Sequence, residues 1–427
     1  MLGGARLSAL ARDPAFGTPT YVYDLDAIDA EADTLQAAFG GDEHLVTYAV
    51  KANSAAPIVR SLARRGVGAD VVSGGELLFA LGAGVPADHV VFSGVAKSLE
   101  EIDLALGAGG RGILAIQLES VEEIERVCAR ARALSLGRQA RVSIRLNPGL
   151  DVDGVGTHAS IATGHDEAKF GVPLPRVGEA LERMGASSAL SLVGLASHVG
   201  SQLRTTESYL ASAGVLYGVA LEALRKGIHL DYLDTGGGFG IDYGEGCPSS
   251  PSDFVVAARA LARASGLGGL RHLIEPGRSL VAAHGVLLAR VLQRKSDRAP
   301  SARGAAGERR WLMIDAGMND LIRPALYQAR HRVEPLERPV PPGASLFRVV
   351  GPVCESSDDF GEHPLPDEDF EHVALLDAGA YGYSMASRYN GRPLAAEVFL
   401  RGGRVVATSP RAPLSAWASE RLSVSEL

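Results

Sequence analysis

Between residues 44 and 276 the chain repeats one alternation: a short apolar run, then an amphipathic segment, then the next apolar run. The apolar runs are "LVTYAV", "GADVV", "HVVFS", "GILAIQL", "RVSIRL", "LVGLASHV", "YLDTGGGFG" and "RHLIEP". Their length and their β-branched and aromatic content are those of buried strands. Segments between them, such as "APIVRSLARRG", "SLEEIDLALGAG" and "SVEEIERVCARARAL", carry apolar residues at helical spacing. Strands alternating with helices build a parallel sheet, and eight such strands close a (β/α)8 barrel.

Past about Gly285 strands follow one another directly: "GVLLARVLQRK", "RRWLMIDAG", "SLFRVVGPVCES", "HVALLDAGAYG" and "PLAAEVFLRGGRVV". This succession predicts a second, mainly antiparallel β domain. The expected division is a barrel over 27–283 and a discontinuous β domain over 1–26 and 284–427. "SDRAPSARGAAGER", rich in Ala, Arg, Ser and Gly, reads as a mobile surface loop between the first two of these strands.

Composition narrows the function. With 427 residues, 46% of them hydrophobic, there is ample material for a core. The formal net charge is -8, and no lysine or arginine block is long enough for a nucleic-acid groove. Three widely spaced cysteines (Cys128, Cys247, Cys354) without a CxxC pair support neither a disulfide framework nor a structural zinc site. No metal is expected, and the cysteine usage fits a reducing cytoplasm. The N-terminal residues lack the pattern of a secretory leader, and no uncharged apolar run is long enough for a membrane span.

Polar and glycine residues gather just after the strands: Lys51, Ser93, Asn147, His198, Gly236 to Gly238, and Glu275. Barrel enzymes place their sites at that end. Taken alone, Lys51 is a lysine that snorkels from a strand end. In a low-dielectric barrel mouth it is instead an amine freed for Schiff-base chemistry. "DTGGGFG" and "EPGRS", on neighbouring strands, let the backbone approach an anion, and Arg278 adds a planar fork. Glu275 is either a structural ion-pair partner of Arg278 or a carboxylate that holds a proton on a pyridine nitrogen. His198 is either a core histidine or a ring that stacks on a flat cofactor. Together these residues imply pyridoxal phosphate on a barrel.

The chain resembles the diaminopimelate decarboxylase family, in the alanine-racemase-like (fold type III) class of pyridoxal phosphate enzymes. The segments that carry the resemblance include "TPTYVYDLDAI", "TYAVKAN", "ADVVSGGEL", "THASIATGHDEAKFG", "SHVGSQ", "DTGGGFGIDY", "EPGRSLV", "DAGMNDLIRPALYQARH", "GPVCESSD" and "DAGAYGYSMASRYNGRPLAAEV". They run in family order from about Thr18 to Val398. One departure is that Ala159 and Ser160 stand where bulkier residues are expected.

The resemblance implies roles. Lys51 binds the cofactor as an imine, and His198 stacks on its ring. Ser201, Gly237, Gly238, Gly277, Arg278 and Tyr381 surround the phosphate, and Glu275 meets the pyridine nitrogen. Arg278, Arg323, Tyr327 and Tyr381 contact the substrate, with Glu355 taking an amino group. Cys354 is the proton donor, and the Cys-Glu pair serves the partner subunit's site in a head-to-tail homodimer. The implied reaction is decarboxylation of meso-2,6-diaminopimelate to L-lysine, the last step of lysine biosynthesis.

Each late motif also has a plainer reading. "CES" is a thiol beside a surface carboxylate, and "LIRPALY" is a helix start with Pro in its first turn. The alternatives are decarboxylation of ornithine, lysine or carboxynorspermidine, racemisation, and a cofactor-binding regulatory homologue without turnover. An arginine facing a substrate that lacks the far carboxylate would be left buried and unpaired, which disfavours the first.

Overall fold

The computed structural model describes residues 1–150, 163–165, 168–300 and 306–423. Ala159 and Ser160 lie outside them. The chain divides into two units. One comprises Asp29–Asp242 and Gly246–Leu280; the other comprises Met1–Ile28, Tyr243–Glu245 and Val281–Leu427. Strands are numbered along the chain, so β1 (Thr20–Asp24) belongs to the second unit and the next nine to the first.

In the first unit the eight apolar runs are β2 (His44–Ala49), β3 (Gly68–Val71), β4 (Val90–Phe92), β5 (Ala115–Leu118), β6 (Ala140–Asn147), β8 (Leu190–Ser197), β9 (Tyr232–Gly237) and β10 (Arg271–Glu275). Each pairs in parallel with the next, and β10 returns to β2, so the ring closes. The two-residue β7 (Val172–Pro173) pairs with β6 and stands off the ring. This is the barrel the alternation predicts. Its strands read as near-continuous apolar text because both faces are covered. Leu45, Val91, Ala115, Val193, Tyr232 and Leu273 form one buried cluster inside it. Helix starts follow local chemistry: Ser73 and Ser120 accept the amides of Glu76 and Glu123, and Ser98 with Glu101 forms a capping box.

The second unit contains β1, β11 (Gly285–Pro300), β12 (Ala306–Ile314), β13 (Val333–Pro335), β14 (Ser345–Val350), β15 (Asp359–Leu365), β16 (His372–Leu375), β17 (Ala396–Arg401) and β18 (Arg404–Ser409). The sheet runs β15-β14-β12-β11-β1-β17-β18, with β16 on β11 and β13 on β16. All pairs are antiparallel except β1 with β17 and β12 with β14. Alternate residues sort to opposite faces. Val22, Val286, Leu288, Val398 and Leu400 pack with Leu7 and Ala374 on one face. On the other, Tyr21 stacks on Tyr23 at 6.0 Å and Tyr23 on Phe399 at 5.1 Å.

The expected loop at "SDRAPSARGAAGER" is corrected. β11 and β12 stay paired as a hairpin out to Pro300 and Ala306. The small residues of that stretch gave no strand signal, and the cross-strand register decides instead.

Candidate active site

β2 ends at Ala49, and a short 3-10 turn, Val50–Ala52, carries Lys51. The Lys51 Nζ lies 2.5 Å from Asp70 Oδ2 on β3. The Ser93 hydroxyl, just after β4, donates to the other Asp70 oxygen. Asp70 is fully buried, whereas the lysine side chain is 38% exposed. Three successive strand ends thus present a reachable amine on an anchored carboxylate.

β8, β9 and β10 bring the next group together. Gly236 and Gly238 have φ of 73° and 87°, conformations that favour glycine. A Cβ at Gly237 would lie 2.0 Å from the Glu275 carbonyl oxygen, and one at Gly238 2.0 Å from that of Gly200. The turn therefore sits flush against the ends of both neighbouring strands. Next to it, Arg278 Nη2 donates to Ser201 Oγ at 2.9 Å. Gly277 packs where a Cβ would meet Ala49 and Ala52 at 3.0–3.1 Å.

His198 follows β8. Its Nδ1 accepts the Gly237 amide at 3.0 Å, so the neutral ring carries its proton on Nε2. Burial, and then the Arg145 and Lys51 charges, hold its pKa well below the ordinary histidine value. Its 3.9 Å approach to Glu275 Oε2 is accordingly not an ion pair. Glu275 is buried, and its Oε1 has no hydrogen-bond partner. Burial, Asp234 and Asp70 push its pKa well above the carboxylate range. Below these groups Arg145 bonds Glu119 at 3.2 Å and the His198 carbonyl at 3.3 Å, and Glu119 takes the amides of Gly94 and Gly171 at 2.9 Å each. This buried pair ties β5, β6 and β8 together.

The remaining expected residues belong to the second unit. A single helical turn, Arg323–Tyr327, starts with Arg323 and has Pro324 in its first turn. The plainer reading of "LIRPALY", a helix start with Pro in its first turn, therefore holds. Arg323 is buried; its Nη1 donates to His331 Nε2 at 2.8 Å, and its guanidinium lies 4.8 Å from the Tyr243 ring centre. His331 gives its Nδ1 proton to the Leu376 carbonyl at 2.9 Å, which leaves Nε2 as the acceptor. Tyr327 ends the helical turn and is partly buried. Cys354 and Glu355 lie in the loop between β14 and β15, and both are exposed. Asn390 Oδ1 accepts the Cys354 amide at 3.0 Å, and the Tyr389 hydroxyl donates to Glu355 at 2.5 Å. That bond and the Glu355 charge raise the Tyr389 pKa. The loop is anchored from beneath by the buried Asp358, which accepts the amides of Val353 and Met318 at 2.6 Å each. Tyr381 adopts a left-handed backbone (φ 55°) in the glycine-rich turn after β16.

Asp70, Arg145, His331 and Tyr389 were not among the expected residues. Asp70 and Arg145 each carry a charge in the middle of an apolar strand run, and that was the available signal. His331 and Tyr389 take their meaning only from partners brought in by folding.

Comparison with known proteins bears on the family and the fold. Residues 25–282 match the family model "Pyridoxal-dependent decarboxylase, pyridoxal binding domain". The chain is 38% identical over 398 residues to the diaminopimelate decarboxylase of Zymomonas mobilis, covering 91% of this chain and 89% of that protein. It is 40% identical over 390 residues to that of Neisseria meningitidis, covering 91% of each. A crystal structure of diaminopimelate decarboxylase from Helicobacter pylori complexed with L-lysine superposes with a TM-score of 0.86 at 36% identity, over 98% of this chain and 100% of that one. The barrel residues fit pyridoxal phosphate. Glu275 Oε1 is a buried acceptor without a donor, and Lys51 offers a reachable amine.

Proposed function

The chain belongs to the diaminopimelate decarboxylases, within the pyridoxal-dependent decarboxylases, and on that premise we propose that it converts meso-2,6-diaminopimelate to L-lysine and carbon dioxide. Pyridoxal 5'-phosphate, when bound, supplies an electron sink conjugated to the carbon that loses the carboxylate. Lys51 is its covalent anchor. Glu275 holds a proton at the ring nitrogen, and His198 lies against the ring as a neutral imidazole. Ser201, Gly237, Gly238, Gly277 and Arg278, with Tyr381, receive the phosphate.

The observation that carries the substrate assignment is Arg323. A buried guanidinium oriented from two sides, by His331 Nε2 and the Tyr243 ring, is a device for recognising a carboxylate. Arg323 and Tyr327, with Arg278 and Tyr381, take the amino-acid end that is not cleaved, and Glu355 takes its amine. Holding that end fixes the reacting end before chemistry. The departing carboxylate leaves its electron pair on carbon, and the Cys354 thiol delivers a proton there.

By the same reading the protein is a homodimer in which Cys354 and Glu355 serve the partner subunit's site, and it acts in the cytoplasm as an enzyme of lysine biosynthesis. Among the described residues no helix is long and apolar enough to cross a membrane.

The test is release of carbon dioxide and lysine by the cofactor-loaded protein, with meso-diaminopimelate, L-ornithine and L-lysine assayed side by side. Turnover of ornithine or lysine in place of diaminopimelate overturns the substrate. For the shared site, equal mixing of Lys51→Ala and Cys354→Ala chains should restore about a quarter of full activity, since half the dimers are mixed and each holds one intact site. No recovery refutes sharing.

A further inference from the structure

Gln202 follows Ser201 in the turn after β8, and its backbone is left-handed, with φ of 63°. Glycine adopts that conformation freely, whereas an L side chain is strained there. The Gln202 side chain offsets the strain with a two-pronged bond across to the turn after β9. Its Nε2 donates to the Ile241 carbonyl at 2.7 Å, and its Oε1 accepts the Ile241 amide at 3.3 Å. The opposite amide orientation would set N–H against N–H, so the pairing fixes which way the group faces. One side chain thus satisfies both polar groups of one residue, as a neighbouring strand would. Main-chain bonds lace the same two segments: the Leu203 amide donates to the Gly238 carbonyl at 2.8 Å, and the Gly240 amide to the Leu203 carbonyl at 2.9 Å. A Cβ at Gly240 would lie 2.6 Å from that Leu203 oxygen, so the segments have no slack. Ser201 Oγ, next along the chain, accepts Arg278 Nη2 at 2.9 Å. Ser201 and Gly238 therefore both sit on the stretch that Gln202 fastens, and none of the roles given above uses Gln202.

We propose that Gln202 is a positioning residue that sets the phosphate-receiving turns in place before the cofactor arrives. This inference rests on the reading of Ser201, Gly238 and Arg278 as groups that meet the phosphate. A phosphate that finds those groups already in register loses no binding free energy to ordering two loops. Glycine at position 202 would suit the backbone and leave the turns tied by main-chain bonds alone. A residue that only stabilised the fold would act on every ligand of the barrel mouth equally. One that sets the phosphate groups acts on the phosphate end and leaves the ring and the aldehyde as they were.

The experiment compares wild type with Gln202→Gly, which accepts the left-handed backbone and removes the clamp. Each apoprotein is titrated with pyridoxal 5'-phosphate and with pyridoxal, which has the same ring and aldehyde and no phosphate, and binding is followed by absorbance. The dissociation constant of pyridoxal 5'-phosphate should rise about tenfold in the variant, while that of pyridoxal stays within about twofold. The gain in melting temperature given by inorganic phosphate, which forms no bond to Lys51, should shrink in step. An equal change for both aldehydes, or no change for either, overturns the proposal. If the variant does not fold, amide hydrogen exchange in the wild-type apoprotein decides. Protection at Leu203 and Ile241 without cofactor supports turns set in advance, and protection that arises only once pyridoxal 5'-phosphate is bound refutes them. A wild type that binds pyridoxal as tightly as pyridoxal 5'-phosphate would instead sink the phosphate reading itself, and the inference with it.

Discussion

The ammonium of Lys51 rests 2.5 Å from the carboxylate of Asp70, whose other oxygen takes the Ser93 hydroxyl. The lysine thus meets a carboxylate on β3 that is held in turn by the residue after β4. Lys51→Ala should abolish the visible absorbance of the bound cofactor together with activity. Asp70→Ala should keep the band and lower kcat/KM roughly 10- to 100-fold, because an amine that is present but misaimed costs orientation. Absorbance spectra and steady-state rates of the two variants separate anchor from aim; a normal band in Lys51→Ala would remove the lysine from its role.

Arg323→Lys retains charge and loses the fork that His331 and Tyr243 hold. For a bidentate carboxylate contact the expected loss in kcat/KM is about 10- to 100-fold, or about 1.4 to 2.8 kcal/mol. L-lysine keeps the uncleaved amino-acid end, so its inhibition constant should rise by a similar factor. A variant that loses kcat while binding lysine normally would count against the clamp.

Cys354→Ala should lower kcat by about 10²- to 10⁴-fold with little change in cofactor absorbance, as expected for loss of a proton donor. Tyr389→Phe removes only the hydroxyl bonded to Glu355 and should raise KM severalfold while leaving kcat near its original value. Full rates in Cys354→Ala would assign the proton to another group.

Glu397 is buried beside Tyr23, whose hydroxyl donates to it at 3.2 Å. Burial raises its pKa from 4.5 to about 7. The folded protein therefore favours the protonated form, and this contribution is complete below the unfolded pKa and lost as pH rises through about 7. Glu397→Gln, neutral at all pH, should stabilise the protein by about 2 to 3 kcal/mol at pH 8 relative to wild type, and by far less at pH 5. Denaturant unfolding at the two pH values measures it; an equal effect at both would show that the titration does not matter.

Much of this architecture is legible before folding. Each of the eight barrel runs is mostly apolar text ended by Lys, Ser, Asn, His, Gly or Glu, so both the ring and its functional end can be read. The β11–β12 hairpin cannot, because Ala, Gly and Ser there carry no periodicity and pairing is settled across strands. The same limit applies to side chains. "KAN" and "EPGRS" are visible as motifs, whereas Asp70 looks like a stray charge until the closed ring sets it beside Lys51. Local pattern reports which face a residue uses; it does not report which neighbour stands there.

The buried carboxylate of Asp358 holds the amides of Val353 and Met318 at once, so the loop that bears Cys354 and Glu355 is fastened to the turn that leads into Arg323. For anyone wishing to retarget the enzyme, these two stretches form a single cassette. Grafting a foreign "CES" loop alone would leave Asp358 pulling on a mismatched turn, and replacing the arginine segment alone would unseat the thiol. A chimera that exchanges residues 317–331 and 351–358 together preserves the shared fastening, so under the proposed roles the carboxylate clamp and the proton donor diverge as one piece.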